Sequence, residues 1–293
     1  MSNNLQRILF AVVAIPIAIG VVYWGGWPLA VLVAVIAALG AKEMVSLARH
    51  QGLAPLDKHA MVFSVAIPIG VWLTYGGQPI AWGGVAVNSL MPAVLFTPAG
   101  AGIWILTATL IPRAPDERPP RVAGVTLLVP LYCAVLPSFL LGIRYATGLG
   151  RSWEATAAVF FPLAVTWICD TAAMYAGKAI GGAKLAPVVS PGKTRAGSVA
   201  GLIAGLVTAV LFNRLVMTPL GYTISDLEAV AFGVILSVAA QIGDLTESLF
   251  KREAGVKDSS GLIPGHGGVL DRFDALYFVV PIAAMLYNFF GVI

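Results

Sequence analysis

Between Gln241 and Asp274 the chain crowds charge against an apolar background: Asp244, Glu247, Lys251, Arg252, Glu253, Lys257, Asp258, His266, Asp271, Arg272 and Asp274. Charge beside a membrane interior is costly, so such a cluster reads as a functional site. Gln241, Asp244, Ser248 and Lys251 follow i, i+3, i+7, i+10 spacing and line one helix face near its end. Asp271 and Asp274, three apart, share a face in the first turn of the next helix. Two carboxylate-bearing helix ends beside a phosphate-friendly loop make a Mg²⁺ site, because Mg²⁺ takes one or two carboxylates plus substrate phosphates. The competing reading is dipole compensation by Asp271 and Asp274, with Asp244 in an ordinary salt bridge. That reading explains each position singly but not their convergence.

Two further places could do chemistry. Asp170 lies inside an apolar segment, about 10 Å from its end at 1.5 Å per residue. Its alternatives are a functional carboxylate or a structural pair with an arginine. The stretch 177–197 interleaves glycines with Lys178, Lys184, Lys193 and Arg195, and adds the hydroxyls of Ser190 and Thr194 near a helix start. Glycine lets the backbone approach a ligand, and helix N-termini attract anions, so the composition suits phosphate. It equally suits a loop touching lipid headgroups. It is not a Walker loop: Gly-Lys-Thr stands at 192–194, but position 187 is Pro where that pattern needs Gly.

The elements that must hold these groups are membrane helices. The chain has 293 residues, 58% hydrophobic and only 11% charged, against about 25% charged in a soluble domain. Mean hydropathy is +0.88. The class is an all-α polytopic membrane protein, with no alternating strands of a membrane barrel. Spans fall at approximately 8–24, 28–48, 60–75, 89–111, 122–143, 155–176, 197–218, 228–250 and 272–291, each near the ~17–25 residues a crossing needs. The glycine-rich piece 76–87 reads as a loop or a re-entrant element. The first span ends in Tyr23-Trp24-Gly25-Gly26-Trp27, too bulky for signal cleavage and suited to an aromatic belt. With the N-terminus cytoplasmic, only Arg144, Arg151 and Arg214 of the 18 lysines and arginines fall outside, which satisfies the positive-inside rule. A proline-rich linker, 112–120, divides a scaffold of membrane helices (1–120) from a catalytic membrane region (121–293). Cys133 and Cys169 lie in apolar segments and read as packing residues.

The run Ser248-Leu-Phe-Lys251-Arg252, Lys257-Asp258, Pro264-Gly-His266-Gly-Gly, Asp271-Arg272-Phe-Asp274 resembles the signature of the phosphatidate cytidylyltransferases, or CDP-diacylglycerol synthases. Asp170 to Lys178 and Ser190-Pro-Gly-Lys-Thr194 resemble that family too, in the expected order. The resemblance covers residues 165–280 strongly and the first half only in its multi-span character. It departs at Arg195-Ala196, where the family usually has an aromatic residue and then Glu or Gln. The resemblance implies cytidylyl transfer from CTP to phosphatidic acid, releasing pyrophosphate, with Mg²⁺ as cofactor and a second cation left open. It further implies a homodimer in a bacterial inner membrane, an active site facing the cytoplasm, and no nucleic-acid partner.

On that resemblance Asp244 and Asp271 are the metal ligands, with Asp170 and Asp274 as further ligands or groups just behind them. Lys193, Lys251, Arg252 and Lys257 would hold the triphosphate or the lipid phosphate, with Lys178 and Arg272 also substrate-binding. Ser190, Thr194 and Ser248 would offer hydroxyls to phosphate or metal, and His266 and Asp258 would shape the loop. A transporter is the alternative from another class, although here the polar groups crowd one face rather than the midplane. An isoprenoid-lipid cytidylyltransferase or a lipid kinase would use the same nucleotide and give other products.

Overall fold

A computed structural model describes residues 3–76, 80–82, 85–87, 90–111, 113–146, 150–262 and 267–293. His266 lies outside these described residues, so its expected role in shaping the loop has no structural counterpart here. The helices are α1 (Asn3–Trp24), α2 (Gly26–His50), α3 (Asp57–Gly76), α4 (Leu90–Leu110), α5 (Pro119–Pro130), α6 (Leu136–Ala146), α7 (Trp153–Ile180), α8 (Arg195–Phe212), α9 (Asp226–Glu253), α10 (Leu270–Phe273) and α11 (Leu276–Phe289). Two antiparallel hairpins interrupt them: β1 (Ile80–Trp82) with β2 (Val85–Val87), and β3 (Lys184–Ala186) with β4 (Ser190–Thr194). The first hairpin falls in the piece expected to be a loop or re-entrant element. The second falls in the expected anion-binding loop.

Among the described residues five helical segments are long and apolar enough to cross a bilayer: Gly26–His50, Pro119–Ala146, Trp153–Ile180, Arg195–Leu220 and Asp226–Glu253. Helix also occupies the other segments expected to cross. The predicted last span is broken: α10 ends at Phe273 and α11 resumes at Leu276. Between α5 and α6 the helix widens into a π turn, Leu131–Val135. Pro137 cannot donate to a carbonyl one turn earlier, and a π turn absorbs that loss.

Small residues set how closely the helices around the site approach. Gly197, Gly201, Gly205 and Ala209 recur every four residues and form the buried face of α8, a small-residue stripe of the kind that brings membrane helices into backbone contact. A Cβ on Gly201 would lie 2.8 Å from the carbonyl oxygen of Cys169 on α7. On α9, a Cβ at Gly233 would lie 2.6 Å from the Cα of Leu206. Gly233→Ala therefore forces backbones apart and should cost about 1–3 kcal/mol. Gly20→Ala, with nothing within 4 Å, should be neutral or gain about 0.5–1 kcal/mol. Thermal unfolding of both variants in detergent checks the contrast; equal melting temperatures would contradict it.

Arg144 shows how burial revises a charge count. It falls in an expected outside connection, yet it is fully buried. Its guanidinium donates to the carbonyls of Val22 (2.5 Å), Tyr23 (2.9 Å) and Gly150 (2.8 Å). It fastens the α1–α2 turn to the start of α7. Cys133 and Cys169 are both buried and unpaired with one another, as packing residues should be.

Candidate active site

The site begins with α7, which ends at Ile180 and hands the chain to the β3–β4 hairpin. The hairpin is pinned at its base by Lys184 opposite Thr194 and by the amide of Arg195 donating to Ala183. It then turns directly into α8, where the Thr194 hydroxyl caps the helix by accepting from the amide of Gly197 at 3.1 Å. This short path folds the lysines back over the end of α7. A cavity of about 510 Å³ opens between the hairpin, α7, α8 and α9. Lys178, Lys184, Lys193, Ser190 and Thr194 line it together with Asp170 and Asp244.

Asp244 makes the salt bridge of the competing reading, and its partner is a cavity lysine: Lys193 Nζ lies 2.6 Å from Asp244 Oδ2. These side chains stay 25% and 31% exposed, so the pair faces the cavity rather than the core. Ser248 reaches Asp244 Oδ1 at 3.4 Å. The carboxylates of Asp170, Asp244 and Asp274 interact electrostatically. Gly243 allows the close approach: the backbone at Asp274–Ala275 lies against it, and an added Cβ would sit 2.8 Å from the Asp274 carbonyl oxygen. Gln241 and Ser198 complete the wall, with Gln241 Nε2 donating to the Ser198 carbonyl at 3.2 Å.

Asp271 is occupied differently. Lys251 Nζ lies 2.6 Å from its Oδ1, and its Oδ2 accepts from the amides of Ser259 (2.9 Å) and Gly268 (2.8 Å). Burial pushes its carboxyl pKa up, but Lys251 and the two amides outweigh it and hold it below the usual carboxylate value. Lys251 also meets Glu247 at 2.5 Å. Glu247 is fully buried. The regular spacing along α9 therefore resolves into two directions: Gln241 and Asp244 line the cavity, while Lys251 turns to Glu247 and Asp271.

Of the remaining expected residues, Arg252 donates to the carbonyls of Val189 and Val256, both at 3.2 Å. It ties the end of α9 to the hairpin turn. Lys257, Asp258 and Arg272 are exposed and do not line the cavity. Three residues escaped the sequence reading. Glu247 stands out in the sequence only as a charge. Ser259 gave no signal. Glu43, in α2, accepts four hydrogen bonds from the far end of the chain. A carboxylate inside the expected second span was a usable signal, the same one that singled out Asp170.

The donor set can be tested against Mg²⁺. Among the described residues no group of three or more His, Cys, Asp or Glu forms a ready-made metal cage. Mg²⁺ seldom uses one, relying on one or two carboxylates with substrate phosphates. Asp244, beside Asp170 and Asp274, supplies hard oxygen donors at the cavity and fits that pattern. Asp271 lies outside the cavity lining and gives its oxygens to Lys251 and backbone amides.

The pattern of the cytidylyltransferase family matches residues 5–290. The phosphatidate cytidylyltransferase of Haemophilus influenzae is 32% identical, over 97% of this chain and 98% of its own. That of Bacillus subtilis is 30% identical, over 99% and 100%. That of Brucella suis is 47% identical over 131 residues, 45% of this chain and 46% of its own.

Proposed function

Because the chain belongs to the cytidylyltransferase family and is thereby a nucleotidyltransferase, we propose that it transfers the cytidylyl group of CTP to phosphatidic acid. The products are CDP-diacylglycerol and pyrophosphate. The observation that carries this reading is a cavity lined by Lys178, Lys184 and Lys193 together with Asp170 and Asp244. The lysines and hydroxyls can take up phosphate charge, and the carboxylates can take up a cation.

In the reaction an oxygen of the lipid phosphate attacks the α-phosphorus of CTP, and the bond from that phosphorus to the bridging oxygen of pyrophosphate breaks. A phosphate monoester is already largely ionised near neutral pH, so no strong base is required. The work of the protein is to position two anions and offset their repulsion. Lys193 is held ready by Asp244 and released toward phosphate as the nucleotide enters. Lys178 and Lys184 offer further cations in the same cavity, and Ser190 and the hydroxyl proton of Thr194 offer hydrogen bonds. Mg²⁺ would be held by Asp244 and Asp170, where it would neutralise charge on the phosphates. Asp271 orients Lys251 instead.

The lysine and arginine bias supports nine crossings with the N-terminus and the cavity on the cytoplasmic side of an inner membrane. A lipid phosphate then arrives laterally and a nucleotide from water. Family resemblance supports a homodimer. Radiolabelled CTP with purified protein and phosphatidic acid tests the function: a labelled lipid with release of pyrophosphate is expected. Release of CDP with a newly phosphorylated lipid would make it a lipid kinase, and solute flux in liposomes without labelled lipid a transporter.

A further inference from the structure

We infer that Glu43 is a positioning residue for the Asp271–Lys251 end of the site, acting through the loop that joins α9 to α10. Glu43 is 5% exposed. Its Oε1 accepts from the Ser260 hydroxyl (2.7 Å) and the Val269 amide (2.9 Å). Its Oε2 accepts from the Leu270 amide (2.8 Å) and lies 2.8 Å from the Ser259 hydroxyl. Ser259 and Ser260 enter the loop's middle and Val269 and Leu270 leave it, so one carboxylate fastens both sides.

The clamp reaches the site through Ser259. Its amide donates to Asp271 Oδ2, and its hydroxyl lies 2.9 Å from the same oxygen. That hydroxyl therefore sits between two carboxylates, and its single proton serves one at a time. Asp271 in turn holds Lys251. There is no slack in the arrangement, since a Cβ on Gly268 would collide with both the Ser259 hydroxyl and Glu43 Oε2. Two amides and the Ser260 hydroxyl donate to Glu43, joined by the Ser259 hydroxyl when its proton is not on Asp271, and a carboxylate accepts them all without donating. Glutamine would turn two N–H groups toward donors.

The kinetic test rests on the proposed cytidylyl transfer and uses the full chain in detergent with CTP and phosphatidic acid. Glu43→Gln should lower kcat by about 10- to 100-fold, as misplacement of supporting groups does, with KM for CTP close to wild type. Ser259→Ala should act in the same direction. The double variant should be no worse than the worse single, because both act through one linkage. Tryptic cleavage after Lys257 should accelerate in Glu43→Gln while cleavage after Lys184 does not. If Glu43→Gln does not fold, Ser259→Ala and Ser260→Ala carry the same measurements. Wild-type kcat in the folded variant, losses that multiply in the double variant, or unchanged cleavage at Lys257 would each overturn the inference. If the wild-type protein makes no CDP-lipid, the proposed function fails, and cleavage at Lys257 still decides the role of Glu43.

Discussion

Asp244→Asn should remove nearly all turnover and leave the fold intact. A bound cation contributes several kcal/mol of charge stabilisation in phosphoryl chemistry, and each 1.36 kcal/mol is tenfold in rate, so the loss is about a thousandfold. The structural cost is far smaller. The substitution breaks the ion pair with Lys193, whose partners are 25% and 31% exposed, and such pairs contribute at most about 1 kcal/mol. Activity and stability should therefore separate: turnover collapses while the melting temperature stays near wild type. Turnover is to be measured across a range of Mg²⁺ concentrations. Near-normal rates throughout would remove Asp244 from the metal site and leave it as the salt bridge of the simpler reading.

Lys251→Met should fail in the opposite manner, through stability first. Lys251 is the cation between Glu247 and Asp271, whose side chains are 1% and 6% exposed. Removing one member of a buried ion pair costs about 3–5 kcal/mol because the remaining charge is left uncompensated. A whole domain is stable by only about 5–15 kcal/mol. The variant should be poorly folded in detergent, seen as a fall in melting temperature and aggregation on size exclusion. Glu247→Gln combined with Lys251→Met removes one of the stranded charges and should recover much of the folded yield. A Lys251→Met protein as stable as wild type would show that the carboxylates carry no net charge to be balanced.

The two variants separate groups that look alike in the chain. Asp244 and Lys251 lie seven residues apart on one helix and within one charged cluster. The first borders a cavity, and the second is enclosed by Glu247 and Asp271. The same divergence separates Asp271 from Asp274. Their i, i+3 spacing predicts one helical face, but the helix breaks between Phe273 and Leu276. Asp274 then interacts with Asp170 and Asp244, while Asp271 is taken by Lys251 and two amides. The two carboxylates read together as metal ligands, Asp244 and Asp271, thus stand in different surroundings, one at the cavity and one against Lys251.

Local chemistry was enough to establish the class of protein, the positions of its helices, the family and the lysine-rich segment 177–197. Hydropathy, helix periodicity and a long motif are properties of contiguous residues, and contiguous residues are what a sequence displays. Tertiary structure decided which acids face a cavity and which are buried with Lys251. It also decided that Arg144 is a buried staple and that Glu43 serves a loop 216 residues and more away. Those outcomes depend on how helices approach across glycine faces and where a helix breaks, so they arise only when distant segments share the same space.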